Sequence, residues 1–452
     1  MRILDHIATR ATLALWATTI AGCTLISVRG GVGRDNQRDS VGASVVQALE
    51  LRVHAVESEE GAPFMSLQTT GTTARGAGSD QITVTFDLRT DVYPNLALNL
   101  VHCDRYWRPT ENIFVQDPAR LRTYDFDIRR APLGVRGYDY QCSITFPRSG
   151  SRIRIEHSGN YLAQIVDYDE PTRVYGQGRF FVVEAKSSVE VGVVSDFFES
   201  QQTETPQHGL RIRVEAEPSV DIFGSQIAAI ALVESGQWYT AISAGEEAGR
   251  SDVTLGRPWV EWYPSFAGKV VAEFRNLPSG NEHRILDLGD VTLYPTIAAP
   301  ISTPLSDLPR RDFSRYDNNG IAASRLVPSG DEDYVDFEFR LDLLGREVVE
   351  DIVVVGTFTN WETRREWTLR YDTVTRYYVA RGWLRRAAHE YEYRSGKWDT
   401  DQSEFLNEDA TLLEGNLRQT TRLYYALVYY RETSAGGYDR IVGIGATISG
   451  TP

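Results

Sequence analysis

The stretch Ile82-Thr83-Val84-Thr85-Phe86-Asp87-Leu88 decides the fold class, because apolar and polar residues alternate along it without interruption. Successive side chains of a strand point to opposite faces, so this alternation predicts a strand with one buried face. The same pattern returns in residues 335–342, which read Val-Asp-Phe-Glu-Phe-Arg-Leu-Asp. Turn residues separate such stretches, and helical periodicity is nearly absent. We therefore predict an all-β protein of tandem antiparallel β-sandwiches, immunoglobulin-like or early-set-like.

The length and the punctuation of the chain predict several domains. Its 452 residues correspond to roughly three domains of ordinary size. One break lies near residues 184–190, and a second is the loop 295–328, which is rich in Pro, Ser, Asp and Asn. We predict a first sandwich over 44–186, a second over 187–300, a linker over 301–325 and a third sandwich over 326–452.

The N-terminus has the features of a bacterial lipoprotein signal. A short apolar run over 11–20 follows two arginines and ends in the lipobox-like Ile20-Ala21-Gly22-Cys23. This predicts a signal peptide over 1–22, a lipid on Cys23 and a flexible tether over 23–43. Because the residue after the cysteine is not an aspartate, we expect an exported outer-membrane lipoprotein that faces the periplasm and meets the membrane only through its lipid.

Charge and composition argue against nucleic acid as a partner. The net charge is −15, and only three of the 47 basic residues are lysines. Binding to phosphates requires a basic stripe, whereas the arginines here are interleaved with acids along the chain. Beyond the N-terminal run, no segment is long and apolar enough to be a membrane helix.

Two further cysteines leave the question of a disulfide open. In an oxidising compartment Cys103 and Cys142 could form a bridge. However, the leucines at 96, 98 and 100 share a strand face with His102, which turns Cys103 to the opposite side, whereas Cys142 lies on an apolar face. A single β-bulge would reverse the first assignment, so neither state is excluded.

The sequence contains no complete catalytic or cofactor motif. It lacks a nucleophile elbow, a Walker loop, a His-Glu-x-x-His element and a paired-cysteine zinc pattern. His102 and Asp104 share a strand face but do not make a complete metal site. Carboxylates that could serve acid and base chemistry lie at strand edges, with nothing to fix their separation, at Asp87, Asp125, Asp127, Asp167 and Asp169. We predict no enzyme activity, no cofactor, no metal and no small-molecule substrate.

An ordered series of short motifs nevertheless runs through the chain. The N-terminal part has His102-Cys103-Asp104, Trp107, Ser158-Gly159-Asn160-Tyr161 and Arg179. The middle part has Asn281-Glu282-His283-Arg284, and the third part has Gly356 to Trp361, including Asn360. The closing part has Leu413-Glu414-Gly415, Val428 to Arg431 and Asp439-Arg440. Over about residues 45–448 this series resembles the plug protein of the bacterial type IX secretion system. It departs from that family at His283 and Leu286, where aromatics are usual, and at Thr359.

The resemblance implies a non-enzymatic protein. Such proteins occlude the periplasmic mouth of a very large outer-membrane translocon barrel when no cargo occupies it. The barrel is therefore the expected protein partner, and the motif residues are expected to be structural.

A carbohydrate-binding envelope lipoprotein is the competing interpretation. The turn that ends in Trp361 also resembles the strand-turn of glycogen-binding early-set sandwiches. Exposure separates the two interpretations: a glycan platform needs two coplanar aromatic rings on a concave surface, and Trp361, Trp367 and Trp383 are the candidates.

Overall fold

The structure is a computed structural model, and fourteen segments of the chain are described in it. All of them belong to the compact unit Gly42–Pro452. The described residues are 47–56, 62–67, 80–148, 150–198, 207–245, 258–266, 268–289, 292–295, 300–310, 333–345, 348–399, 401, 404–434 and 436–450. Cys23, the predicted signal peptide and the predicted tether lie outside them.

The N-terminal sandwich packs two sheets face to face around one apolar core. One sheet has the order β1-β3-β7-β6, and the other has the order β2-β9-β8-β4-β5. Their strands are β1 Gln47–Ala55, β2 Phe64–Ser66, β3 Ile82–Arg89, β4 Leu96–Cys103, β5 Arg122–Thr123, β6 Asp127–Arg130, β7 Tyr140–Phe146, β8 Gly159–Asp167 and β9 Val174–Val183. All these pairs are antiparallel except β2 with β9, which is parallel.

The middle sandwich begins directly after β9. One of its sheets has the order β10-β11-β15-β14, and β12 pairs with β13 in the other. These strands are β10 Ser187–Phe198, β11 Gln207–Pro218, β12 Ile227–Glu234, β13 Ala241–Gly245, β14 Trp259–Phe266 and β15 Lys269–Pro278, with a short 3-10 turn at Gly224–Gln226.

The C-terminal sandwich has a sheet of order β17-β20-β19 and a sheet in which β16, β18 and β22 flank β21. Its strands are β16 Arg284–Asp287, β17 Tyr334–Leu341, β18 Asp351–Gly356, β19 Arg370–Tyr371, β20 Tyr378–Arg385, β21 Ala388–Trp398 and β22 Phe405–Asp409. Its helical turns are the 3-10 turns Thr357–Thr359 and Arg365–Trp367 and the helix α1 Thr411–Glu414. Within the predicted linker, Ile301 and Asp307 form bridges along β17, so residues 300–310 pack on this sandwich.

The last two strands of the chain return to the middle sandwich. They are β23 Leu423–Glu432 and β24 Tyr438–Ile448, and β23 pairs with β12 to complete a sheet of order β13-β12-β23-β24. The predicted range 326–452 places them in the third sandwich instead, just as the predicted range 187–300 places β16 in the second. Apolar periodicity identifies a strand but not its hydrogen-bonding partner, so sequence order alone misplaced these strands.

The N-terminal and middle sandwiches share a buried apolar layer. Phe181 and Val183 of β9 point away from their own core and pack against Ala231 of β12 and Leu427 and Tyr429 of β23. Because alternate residues of the same strands face the two sandwich cores, both sheets are buried on both faces. The predicted all-β sandwich class is confirmed, and the N-terminal and middle sandwiches pack against each other through this layer.

The two cysteines are free thiols in the structure. Cys142 lies in the core of the N-terminal sandwich, whereas Cys103 is buried outside that core and bonds the carbonyl of Val101. The strand alternation therefore holds, and the bridge is absent because Cys142 of β7 faces the core between the two sheets, whereas Cys103 of β4 faces away from it. Burial raises the pKa of each thiol to about 12, which makes both unreactive in the folded protein.

Candidate functional site

The motif residues gather at the junctions between sandwiches. At the first junction Arg440 of β24 donates two hydrogen bonds to the carboxylate of Glu184, at 3.0 and 2.7 Å. Glu184 lies in the link between β9 and β10, is only 4% exposed, and also accepts a bond of 2.6 Å from Ser158. A bidentate arginine pair is geometrically specific as well as strong. It fixes the link that joins the N-terminal sandwich to the middle one.

Asn160 and Asp439 extend this junction. The amide of Asn160 donates to the carbonyl of Asp104 and accepts from the hydroxyl of Tyr429, at 3.1 and 2.8 Å. Asp439 accepts from the backbone NH of Arg105 at 3.1 Å. Neighbouring Gly159 has a φ of 145°, and a β-carbon there would lie 2.4 Å from the His102 ring. Only glycine allows this close approach.

The remaining N-terminal motif residues also have structural contacts. His102 is fully buried, its ring nitrogens meet Thr110 and the carbonyl of Ser158, and burial lowers its pKa to about 4. Asp104 accepts the backbone NH groups of residues 106 and 108, both at 2.9 Å. Tyr161 is buried in the core. The Arg179 guanidinium lies 4.6 Å from the ring centroid of Trp107, which packs in the shared apolar layer.

The second junction lies where the chain passes twice between the middle and C-terminal sandwiches. The first passage is Asn281 to Arg284, before β16, and the second is Glu414 to Leu417, after α1. They run side by side, because the amide of Asn281 donates to the carbonyl of Glu414 at 2.7 Å and Leu417 NH donates to the carbonyl of Gly280 at 2.7 Å. Two motifs far apart in sequence thus form one structural element.

Glu414 is the centre of this junction. It is 2% exposed, and its carboxylate accepts bonds from Arg284 at 3.0 Å, from Arg310 at 2.8 Å and from the backbone NH of Tyr393 at 2.8 Å. The backbone carbonyl of Glu282 accepts a further bond from Arg310. These bonds satisfy a buried charge whose desolvation alone would be costly.

A second buried charge network lies beside Glu414. Arg394 donates to Glu392 and to the side chain of Gln237, both at 2.7 Å, and so joins β21 to the middle sandwich. Arg422 pairs with Glu234 and bonds the carbonyl of Asn281. Burial opposes ionisation of Glu392, but Arg394 and other cations outweigh it and lower the pKa of Glu392 to about 2.

The third junction joins the N-terminal and C-terminal sandwiches. The amide of Asn360 donates to the carbonyl of Leu51 at 2.9 Å. The hydroxyl of Tyr334 donates to Asp87 at 2.9 Å, and Arg385 forms an ion pair with Asp87 at 3.4 Å. Asp87 occupies a polar position of the alternating stretch and is only 1% exposed. The C-terminal sandwich covers the face that alternation predicts to be solvated.

Stability is expected to depend on the protonation of Asp87. Burial outweighs the attraction of Arg385 and raises the pKa of Asp87 to about 6 from 3.8. Protonation therefore favours the folded state. This contribution is full below pH 3.8 and is lost as the pH rises through about 6. Its size is at most about 3 kcal/mol, since one pKa unit corresponds to about 1.4 kcal/mol.

Urea denaturation of the wild type and of Asp87→Asn between pH 4 and pH 7 measures this contribution. The difference between the two proteins isolates Asp87, because Glu50, Arg52, Arg385 and Tyr334 surround the group in both. The variant is expected to gain stability relative to the wild type as the pH rises. A difference that does not vary with pH would contradict the assignment.

Gly356 and Trp361 hold the turn that closes the C-terminal sandwich. A β-carbon on Gly356 would lie 2.3 Å from the carbonyl oxygen of Glu390, so only glycine fits. Trp361 is 2% exposed, and its ring lies 4.1 Å from the ring of His283. His283 therefore keeps a ring contact at a position where the resembling family usually has an aromatic residue.

The exposure of the tryptophans argues against the predicted glycan platform. Trp361 and Trp367 are buried in the core at 2% and 8%, and Trp383 alone of the three is exposed, at 51%. Two coplanar exposed rings are therefore not provided by these three candidates.

The carboxylates considered for chemistry do not converge. Asp87 lies in the third junction, Asp127 pairs with Arg129, and Asp167 accepts from Tyr175 at 2.7 Å. Asp125 interacts with Thr123, and Asp169 with Asn95. Within the described segments, no cluster of three or more histidines, cysteines or carboxylates could hold a metal ion. None of the helices in these segments has the length and apolar character needed to cross a membrane.

Sequence reasoning missed most of the buried charges at the junctions. Glu184, Arg394 and Arg422 carried no motif signal of their own, because each has a partner in a distant part of the chain, at Arg440, Gln237 and Glu234. Glu414 stands within a motif, but nothing local distinguishes its buried carboxylate from a solvated one. Its position beside the passage between two sandwiches is visible only in three dimensions.

Comparisons with known proteins agree with this architecture. Residues 50–184 match the family described as the Type 9 secretion system plug protein 1st domain. A hypothetical protein from Parabacteroides merdae ATCC 43184, known from a crystal structure, is similar in fold at 18% identity and a TM-score of 0.66, over 89% of this chain and 97% of that one. A search of curated proteins gave no match.

The family match covers the N-terminal sandwich from Glu50 within β1 to Glu184 just after β9, and it includes the motif residues from His102 to Arg179. Residues 50–184 therefore match the first domain of the type IX secretion system plug proteins, and this match supports that family for the chain.

Proposed function

We propose that the protein is a non-enzymatic plug that closes the periplasmic side of the type IX translocon when no cargo is present. The match of residues 50–184 to the first domain of the plug proteins supports a role in type IX secretion. The observation that carries the finer proposal is the set of three junctions, because the motif residues tie the sandwiches to one another. A protein that closes a wide pore must be large and rigid. Buried bidentate ion pairs and hydrogen bonds at the junctions oppose relative movement of the domains.

The lipoprotein signal supports a location at the mouth of the barrel. A lipid on Cys23 would hold the protein at the inner leaflet of the outer membrane and raise its effective concentration near the translocon. Incorporation of a radioactive fatty acid by the wild type, and not by Cys23→Ala, tests this part of the proposal.

Deletion of the protein is expected to leave an open pore. A barrel wide enough for folded cargo would also admit large hydrophilic antibiotics and dyes, so the deletion strain should take them up faster than its parent. Dye uptake and antibiotic susceptibility measure the effect, with translocon levels checked by immunoblot.

A double deletion of plug and translocon is the control. It should restore the barrier, because no pore then remains. Leakage that persists without the translocon would point to general damage of the envelope. Failure of the membrane-extracted protein to co-purify with the translocon would contradict the proposal directly.

A further inference from the structure

An arginine-rich surface lies on the N-terminal sandwich, and one end of it reaches the first junction, where His157 shares a hydrogen bond with the hydroxyl of Tyr438 in β24. Residues 120–124 and 152–156 run next to each other, with Arg154 NH donating to the carbonyl of Arg120 at 2.9 Å. Alternate residues are buried, among them Leu121, Thr123 and Ile153. We call the outward side chains of these two segments the arginine ribbon; they are Arg120, Arg122, Tyr124, Arg152, Arg154 and Glu156.

Aromatic contacts hold part of the ribbon in place. The guanidinium of Arg122 lies 5.5 Å from the ring centroid of Tyr168, and that of Arg152 lies 5.6 Å from the ring centroid of Tyr124. The two tyrosine rings meet edge to face at 5.7 Å. Side chains that are already ordered lose less entropy when they bind a partner.

The charge of the ribbon is only partly neutralised. Arg120 forms ion pairs with Asp117 and Glu156. Across the described segments, Arg122, Arg152 and Arg154 form no ion pair. Arg122 donates instead to the backbone carbonyl of Tyr168 at 2.7 Å. Three arginines without an ion pair are complementary to a partner of opposite charge.

A pocket of about 230 Å³ opens at one end of the ribbon, and its wall carries Arg120 and Arg154 together with the carboxylates of Asp117 and Glu156. Ile113 and Phe114, which also line it, are 79% and 65% exposed. The turn that carries them is fixed by Asn112, whose side chain accepts the backbone NH of Phe114 at 2.9 Å. A small pocket with an apolar rim suits one apolar side chain.

We propose that the arginine ribbon binds an extended acidic segment of a partner protein, with one apolar side chain of that segment in the pocket. Guanidinium groups bind carboxylates in bidentate geometry. Arginine, tyrosine and phenylalanine are enriched at protein interfaces, where arginine and tyrosine often contribute most of the binding energy. The inference goes beyond the proposed plugging function, because it assigns a peptide-binding surface. Binding to that surface can be measured in the absence of the translocon.

The test uses the full chain and a fluorescein-labelled peptide of six glutamates around a central leucine. Fluorescence anisotropy at low ionic strength should show saturable binding. The triple variant Arg122→Gln, Arg152→Gln and Arg154→Gln is expected to bind about tenfold more weakly or worse. The matched variant Arg129→Gln, Arg130→Gln and Arg370→Gln makes the same change in net charge at exposed arginines elsewhere and should bind normally.

Three outcomes would overturn the inference. In the first, neither the peptide nor phosphatidylglycerol vesicles bind the wild type. In the second, both triple variants lose peptide binding equally. In the third, the peptide does not bind, whereas the vesicles bind the wild type and not the ribbon variant. The second outcome would indicate bulk charge, and the third a membrane surface. A peptide with serine in place of leucine should bind more weakly, and equal affinity would remove the pocket from the proposal. Circular dichroism establishes that each variant is folded.

Discussion

Replacing Glu414 by glutamine is expected to destabilise the protein by about 3–5 kcal/mol, the cost of breaking a buried ion pair by removing one partner. The substitution keeps the size of the side chain but removes the charge that faces Arg284 and Arg310 at 3.0 and 2.8 Å. Burial would lower the pKa of Arg284, but Glu414 and Asp307 outweigh it and raise the pKa. Because an arginine side chain is always protonated in proteins, Arg284 stays charged when Glu414 is lost, with Asp307 as its remaining partner. Urea denaturation at pH 7 measures the effect.

Loss of the Glu414 carboxylate should also weaken the second junction. Because Glu414 holds both passages between the middle and C-terminal sandwiches, limited proteolysis of the variant should cut the chain there sooner than in the wild type. Glu366→Gln is the matched control, since Glu366 is exposed, and it should change the free energy of unfolding by less than about 0.5 kcal/mol. A change below about 1 kcal/mol for Glu414→Gln would show that the network is dispensable.

Replacing Trp361 by alanine is expected to cost about 3–5 kcal/mol, as for other buried large-to-small aromatic substitutions. The indole is 2% exposed, belongs to the core of the C-terminal sandwich, and contacts His283 at the second junction. The variant therefore loses core packing and a junction contact together. Thermal denaturation should show a lower transition temperature.

Trp383→Ala is the control for this prediction, because Trp383 is half exposed and lies under the Arg89 guanidinium. It removes the same side chain and should have a much smaller effect. If Trp361→Ala were as stable as the wild type but lost binding to an immobilised polysaccharide, Trp361 would be a ligand contact and the carbohydrate-binding interpretation would lead.

The sequence predicted individual strands well, because alternation is a local property. Residues 82–88 and 335–341 form β3 and β17 as expected. It did not predict which strands meet. β23 carries the same kind of pattern whether its neighbour is β21 or β12, and the choice depends on contacts with residues about two hundred positions away.

The sequence identified the motif residues, but it did not predict their contacts in three dimensions. Asn281 and Arg284 stand in a short motif with no chemistry of its own, and only the fold places Glu414 between Arg284 and Arg310. Likewise Asp87 stands at a polar position of its strand, where the alternation predicts an exposed side chain. It is buried because Tyr334 and Arg385 of the C-terminal sandwich contact it. Local patterns establish the elements, and long-range contacts establish the junctions.

The return of β23 and β24 to the middle sandwich has a consequence for the order in which the chain folds. A chain that is synthesised from its N-terminus presents β12 long before its partner strand β23 is made. Until then, one edge of β12 and the apolar side of β9 that faces it stay uncovered, and both invite aggregation. Contacts of such high sequence separation also fold slowly. We expect that a chain truncated before Leu423 retains a foldable N-terminal sandwich but needs a chaperone to stay soluble, which a refolding and sedimentation experiment would measure.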